Sequence, residues 1–175
     1  IPVEFAAVVY DRLMEDRRPH GIVNAGYRAI ESLRLEKFYR AWGSDITPND
    51  TPYEAGLGWA VKLKSGIPFI GREALKKLAL MPQNKRLTCF TTDDASVVLL
   101  GRETILRNGQ QAGYLTSGGY GYTIGKPIGL GYIRNPDGVS DDYVHNASYQ
   151  LVVAGTTVPA RATLDPLFDP KGTRI

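Results

Sequence analysis

A carboxylate in an awkward place is the first chemical signal in this chain. The segment Leu33-Arg34-Leu35-Glu36 puts Glu36 at the end of an otherwise apolar helical stretch, just before Phe38, Tyr39 and Trp42. An acid there faces the negative end of the helix dipole, so it needs a compensating partner or another reason to be present. The plain partner is a cation, Lys37, Arg34 or Arg40, and such a pair contributes little when exposed.

Other chemistry-bearing groups read as structure. The segment SGGYGYTIGKPIGLGY, residues 117–132, invites a phosphate-loop reading. That loop requires Gly five residues before the Gly-Lys pair and Ser or Thr after it, but Tyr120 and Pro127 stand there. A dinucleotide fingerprint requires a helix after its glycine turn, whereas the residues after Gly125 have strand character. These glycines are expected at tight corners of a barrel. The pairs Asp93-Asp94 and Asp141-Asp142 sit in polar turn regions without further ligand spacing and are expected to be solvated. Cys89, the sole cysteine, lies with Leu87 on an inward face and is expected to be buried filler. It cannot form an internal disulfide, and with only His20 and His145 beside it no metal site is expected.

The elements that must position Glu36 follow from periodicity. Phe5, Ala6, Val9, Tyr10 and Leu13 recur at helical spacing and predict a helix over Val3–Glu15. A second helix is expected from about Ala25, with Asn24 as a candidate cap, ending before Trp42 and Gly43. Pro48 and Pro52 make residues 45–58 an ordered loop. A strand around Trp59–Leu63 and a short helix, Arg72–Leu80, complete this half, and Met81-Pro82 ends it. The expected domain boundary lies there, giving residues 1–82 and 83–175. Beyond it, runs rich in Val, Ile, Thr and Tyr alternate with turn signals at Asn108-Gly109, Asn135-Pro136-Asp137-Gly138 and Ala154-Gly155. Strands are expected at Arg86–Thr91, Thr104–Arg107, Gln111–Thr116, Ile128–Ile133, Tyr149–Ala154 and Val158–Leu164, enough to close a small antiparallel barrel. The fold class is α+β.

Composition narrows the function. With 175 residues, 43% apolar and 22% charged, the chain can bury roughly 70% of its unfolded surface. No apolar run approaches the roughly 20 residues of a membrane span, so no membrane partner is expected. The opening IPVEFAAVVYDRL lacks the features of a signal peptide and reads as the interior of a longer protein. A net charge of +3 is carried by dispersed Lys and Arg without interleaved aromatics, so no nucleic-acid partner is expected.

The stretch NAGYRAIESLRLEKFYRAWGSDITPNDTPYEAGLGWAVKLKSGIPFIGREAL resembles the folate-binding core shared by the glycine-cleavage T-protein (aminomethyltransferase) and the sarcosine and dimethylglycine dehydrogenases. NAGYRAI followed by RAWGSD is similar to the dehydrogenases, and the ending PLFDPKGTR to sarcosine dehydrogenase. The likeness runs on through RLTCF and ILRNGQQAGYLTSGGYGYTIGKPIGLGYI, so it covers essentially the whole chain.

The resemblance implies that residues 1–82 are the second half of a T-protein-like folate-binding α/β domain and residues 83–175 its C-terminal β-barrel. It also implies that Glu36, the glutamate of the RLE motif, accepts two hydrogen bonds from the pterin ring of tetrahydrofolate. A basic residue after GLGW would be the second folate contact; Lys62 and Lys64 are the nearest, with Trp59 and Tyr39 expected as walls of the pocket. A tyrosine that T-proteins place near their C-terminus has no match in LDPLFDPKGTRI. The family's catalytic aspartate and its FAD domain lie upstream, so no catalytic residue is expected here and no oxidation by this chain alone. The implied activity is capture of a one-carbon unit from an N-methyl amine as 5,10-methylenetetrahydrofolate, in a bacterial cytoplasm or a mitochondrial matrix. Implied partners are polyglutamylated tetrahydrofolate and the upstream flavin domain. Two other family activities stay open: aminomethyl transfer, and regulation of pyruvate dehydrogenase phosphatase.

Overall fold

The computed structural model describes residues 1–174. They form two units, one of residues Ile1–Ile30 and one beginning at Glu31. In the first, a 3₁₀ turn at Val3–Phe5 leads into helix α1, Ala6–Glu15. Its apolar face is solvent-facing, with Phe5, Val8 and Leu13 all more than half exposed. Asn24 is not the cap expected from its position: its Nδ2 donates to Tyr10 Oη at 2.9 Å, and helix α2 spans Tyr27–Glu36.

The second unit is built on a closed antiparallel barrel of six strands: β1 Lys85–Thr91, β2 Thr104–Arg107, β3 Gln110–Gly121, β4 Lys126–Arg134, β5 Tyr149–Val153 and β6 Thr156–Thr163. Their order round the barrel is β1-β4-β3-β2-β5-β6. The hairpins at Asn108-Gly109 and Ala154-Gly155 hold both central residues at positive φ, the twist that suits a two-residue connection. Phe90, Ile105, Leu115, Ile133 and Leu151 belong to one core cluster inside the barrel. A second cluster covers the outer face of β1 and β4, where Leu87, Cys89, Ile128, Leu130 and Tyr132 meet Leu35 and Phe38 from the end of α2. Burial pushes the Cys89 thiol up to about 12, so it is protonated at neutral pH and packs as a small hydrophobe.

Glycines 118, 119, 121, 129 and 131 lie within β3 and β4 rather than at barrel corners. They are required by close approach: a Cβ on Gly129 would fall 2.4 Å from Leu115 Cδ1, and one on Gly118 would fall 2.6 Å from the backbone of Leu99. Only Gly125, at φ +69, serves the β3–β4 turn. The strand expected at Trp59–Leu63 is absent; Gly58–Ala60 is a 3₁₀ turn. Its backbone bonds close locally, Ala60 N–H to Leu57 O at 3.0 Å and Val61 N–H to Gly58 O at 3.1 Å, rather than across a ladder. Helix α3, Arg72–Ala79, forms as expected.

The loop after α2 is tied to the barrel by one buried carboxylate. Asp45 is 1% exposed and accepts from Arg34 Nη1 at 2.5 Å, from the Ala41 N–H at 3.0 Å and from Ser117 Oγ at 2.8 Å, with Thr116 Oγ1 as a fourth donor. Its carbonyl accepts from Tyr132 Oη at 3.0 Å. Arg34 also pairs with Glu31 and donates to Ser117 Oγ at 2.8 Å. Every acceptor is used, which is what a buried carboxylate needs to stay charged without a large desolvation cost.

The chain returns to α2 at its C-terminus. The Phe168 N–H donates to Glu36 O at 2.9 Å, and Lys37 Nζ donates to Arg174 O at 2.7 Å and to Asp169 Oδ2 at 3.4 Å. Burial alone would raise the Asp169 carboxyl, but the N–H groups of Arg174 and Thr173, the Thr173 hydroxyl and Lys37 outweigh it and hold the group at about 2.

Two expectations follow. Asp45→Ala leaves Arg34, whose side chain is only 10% exposed, with the half-exposed Glu31 as its one remaining carboxylate among the described residues, and breaking a buried pair costs about 3–5 kcal/mol. A urea unfolding midpoint that moves by less than about 1 kcal/mol in equivalent stability would contradict that role. For Asp169 the folded value lies below the ordinary one of about 3.9. Its contribution is therefore complete above about pH 4 and is lost as pH falls through about 2. The Thr173 and Arg174 amide resonances should hold steady from pH 7 to about 4 and then titrate; Asp169→Asn removes that titration.

Candidate functional site

The site is organised by the way α2 stops. Phe38 takes a left-handed φ of 55°, which no helix can continue. The Tyr39 N–H reaches back to Arg34 O at 2.8 Å and the Phe38 N–H to Leu35 O at 3.0 Å. These two bonds close a Schellman ending with a phenylalanine where glycine is usual. A bulky residue at positive φ is costly and persists only where its surroundings over-determine it. Here the ring is 1% exposed, and the Arg40 guanidinium lies over it at 4.1 Å from its centroid.

The ending fixes Glu36 twice. Its carbonyl receives the Phe168 N–H, and the residue as a whole is 2% exposed. Oε1 accepts from the Thr123 N–H at 2.6 Å and from the Ile124 N–H at 3.3 Å, both in the β3–β4 turn. The expected ion pair with Lys37, Arg34 or Arg40 does not form, because those cations have other partners: Asp169 for Lys37, Glu31 and Asp45 for Arg34, backbone carbonyls for Arg40. Backbone N–H groups brought 87 residues along the chain offset the unfavourable helix end instead. Oε2 has no hydrogen-bond partner among the described residues.

Beside this helix end lies a cavity of about 450 Å³, bordered by Lys37, Tyr39, Arg40, Leu57 and Trp59 and closed on one side by Pro166 of the C-terminal return. The structure thus brings Tyr39 and Trp59 to one cavity. Glu36 does not line it, and Lys62 and Lys64 are exposed and lie outside it. Arg40 and Lys37, considered from sequence only as ion-pair partners of Glu36, are the cations that do line it. Nothing local in EKFYRAW marked them as cavity-lining residues, since their side chains take their places only from the turn that ends α2. Asp45 was hidden inside RAWGSD because nothing local distinguishes a loop acid from one that four donors will bury. Among the described residues no group of three His, Cys, Asp or Glu side chains could hold a metal ion, and no helix is long and apolar enough to cross a membrane.

Comparison with known proteins agrees with this architecture. The model of the GCVT N-terminal domain matches residues 1–65, and that of the glycine cleavage T-protein C-terminal barrel domain matches residues 85–169. The human mitochondrial sarcosine dehydrogenase is 45% identical over 100% of this chain, which spans 19% of that relative's length. The mouse mitochondrial pyruvate dehydrogenase phosphatase regulatory subunit is 39% identical over 95% of the chain and 20% of its own length. The crystal structure of the glycine cleavage system aminomethyltransferase T from Bartonella henselae superposes with a TM-score of 0.75 at 26% identity, covering 95% of this chain and 45% of that one. Since the two models match one after the other and the second takes in the barrel to which α2 is fastened, the chain belongs to the glycine cleavage T-protein family.

Proposed function

We propose that this chain is the tetrahydrofolate-binding portion of a flavin-dependent dehydrogenase of N-methyl amines, of the sarcosine or dimethylglycine type. The observation that carries the proposal is the likeness to a sarcosine dehydrogenase along the entire chain, through the segment that ends on Glu36 as well as through the barrel. In the parent enzyme, in a mitochondrial matrix or a bacterial cytoplasm, an upstream domain would hold FAD and oxidise the amine. Tetrahydrofolate would take the one-carbon unit at N5 to give 5,10-methylenetetrahydrofolate. We place the boundary between the folate-binding half-domain and the barrel near residue 82.

The residues present suit a pterin in one specific respect. Glu36 keeps Oε2 unpartnered and spends only Oε1 on the β3–β4 turn, so an acceptor remains for the ring N–H and amino group. Each hydrogen bond to such a charged acceptor is worth about 1.5–3 kcal/mol. The backbone bonds from Thr123, Ile124 and Phe168 would keep the carboxylate from reorienting when a ligand arrives, so little ordering cost is left to binding. A regulatory role is the second reading, supported by the likeness to the phosphatase regulatory subunit over nearly the whole chain.

Glu36→Gln keeps an oxygen for the Thr123 N–H but removes the charge, so the fold is expected to survive while tetrahydrofolate affinity drops by roughly tenfold or more. Unchanged affinity in titration calorimetry of the full-length protein would sink the pterin role of Glu36. Visible absorption of the same protein under anaerobic conditions separates the two readings. Bleaching of a flavin band by sarcosine or dimethylglycine is expected of the dehydrogenase; a colourless protein points to regulation or aminomethyl transfer.

A further inference from the structure

A single buried carboxylate anchors the C-terminal return. Residues 170–174 are exposed, yet the side chain of Asp169, just before them, is only 3% exposed. Its Oδ1 accepts from the Thr173 N–H at 2.8 Å and the Thr173 hydroxyl at 3.1 Å, and its Oδ2 from the Arg174 N–H at 2.8 Å. The Gly172 N–H closes on the Asp169 carbonyl at 2.9 Å, and Asp169 takes the left-handed φ of 50° that aspartate tolerates better than most residues. Residues 169–174 are therefore a loop knotted on one side chain.

The knot is fastened to α2 beside Glu36. Lys37 Nζ reaches both Asp169 Oδ2, at 3.4 Å, and Arg174 O, at 2.7 Å. It also lies 5.8 Å from the centroid of the Phe168 ring, and the Arg174 guanidinium lies at the same distance. Two cations thus hold the residue whose N–H donates to Glu36 O at 2.9 Å. That N–H has no substitute among the described residues. The chain leaves helical geometry at Phe38, so no later residue of α2 can donate to the Glu36 carbonyl, and a residue 2% exposed cannot turn to water instead. Leu167 packs on the same apolar cluster as Ile124, whose N–H is the second donor to the Glu36 carboxylate. Asp169 itself does not border the cavity, so its influence on a ligand passes through Glu36.

We infer that Asp169 is a positioning residue for Glu36: by closing the C-terminal return on Lys37 it keeps the Phe168 N–H on the Glu36 carbonyl and holds the carboxylate ready for its ligand. The identity of that ligand as a pterin rests on the folate reading. A carboxylate held in this way loses little freedom on binding, and one released from the return must be ordered again each time.

A double-mutant cycle separates positioning from general stability. Titration calorimetry of the full-length protein with 6-methyltetrahydropterin is expected to show Asp169→Ala weakening the affinity about five- to tenfold when Glu36 is present. In the Glu36→Gln background the same substitution is expected to change it by less than about twofold. Equal weakening in both backgrounds, or an unchanged affinity in folded Asp169→Ala, overturns the inference. If Asp169→Ala fails to fold, Asp169→Asn decides: its amide keeps an acceptor for Thr173 but presents an NH₂ group to Lys37 and Arg174. A smaller loss with the same dependence on Glu36 is expected of it; no loss, or the same loss in both backgrounds, overturns the inference. Failure of 6-methyltetrahydropterin to bind the unaltered protein, or its indifference to Glu36→Gln, would count against the folate reading instead. The positioning is then read without ligand, from hydrogen exchange at Thr123 and Ile124, the donors to the Glu36 carboxylate. Exchange there is expected to be at least fivefold faster in the folded Asp169 variant while the amides of β1 and β4 keep their rates, and an unchanged rate at both residues overturns the inference.

Discussion

The buried pair of Arg34 and Asp45 is the constraint on which the second unit depends. Neither charge could be left alone at that depth without a cost of several kcal/mol, so the helix carrying one, the loop carrying the other and the strand supplying Thr116 and Ser117 must assemble together. Once they do, the last turn of α2 lies over the outer face of β1 and β4. There Leu35 and Phe38 are fully covered, each burial contributing about 1.5–3 kcal/mol. The polar pair and the apolar cluster thus support one another: the cluster excludes water, and the pair sets the register in which the helix end meets the barrel.

That register explains how a strained turn survives. Phe38 could relax only by leaving the cluster and taking Tyr39 and Arg40 with it, which would undo the helix ending and free Arg40 from its carbonyl partners. The strain sits where two remote segments converge on one residue. The β3–β4 turn holds the Glu36 carboxylate and the C-terminal return holds its carbonyl. A glutamate fixed through both its backbone and its carboxylate has little freedom left to lose.

The cavity is built from the same parts. Lys37, Tyr39 and Arg40 reach it because Phe38 reverses the chain direction, and the C-terminal return that engages Glu36 also supplies the proline wall. Cations with different partners result from this one turn: Lys37 faces the return and is neutralised by Asp169, whereas Arg40 faces Gly56 and meets only carbonyl oxygens.

Much of the barrel was legible in the sequence, because alternation and paired turn residues are local properties. Asn108-Gly109 and Ala154-Gly155 could be recognised without knowing what surrounds them, and a strand forms at each of the six expected places, although β3 runs five residues beyond its expected end at Thr116. The glycines of residues 117–132 were assigned to corners because a single chain does not reveal what will press against it; β3 runs on to Gly121, and Leu99, Leu35 and Ile128 occupy the space that Cβ atoms on Gly118, Gly119 and Gly121 would need. At Trp59 the expected strand does not form, since every barrel strand already has two neighbours and the chain closes local turns instead. By itself the sequence determined the helix that ends on Glu36, the hairpins, the barrel and the family likeness. Only the tertiary structure decided which groups satisfy Glu36, that Asp45 is buried, and that Arg40 rather than Lys62 or Lys64 lines the cavity. The reason is that hydrogen-bond partners and counter-charges are chosen by distance in space, and the barrel donors to Glu36 and Asp45 lie more than seventy residues away along the chain.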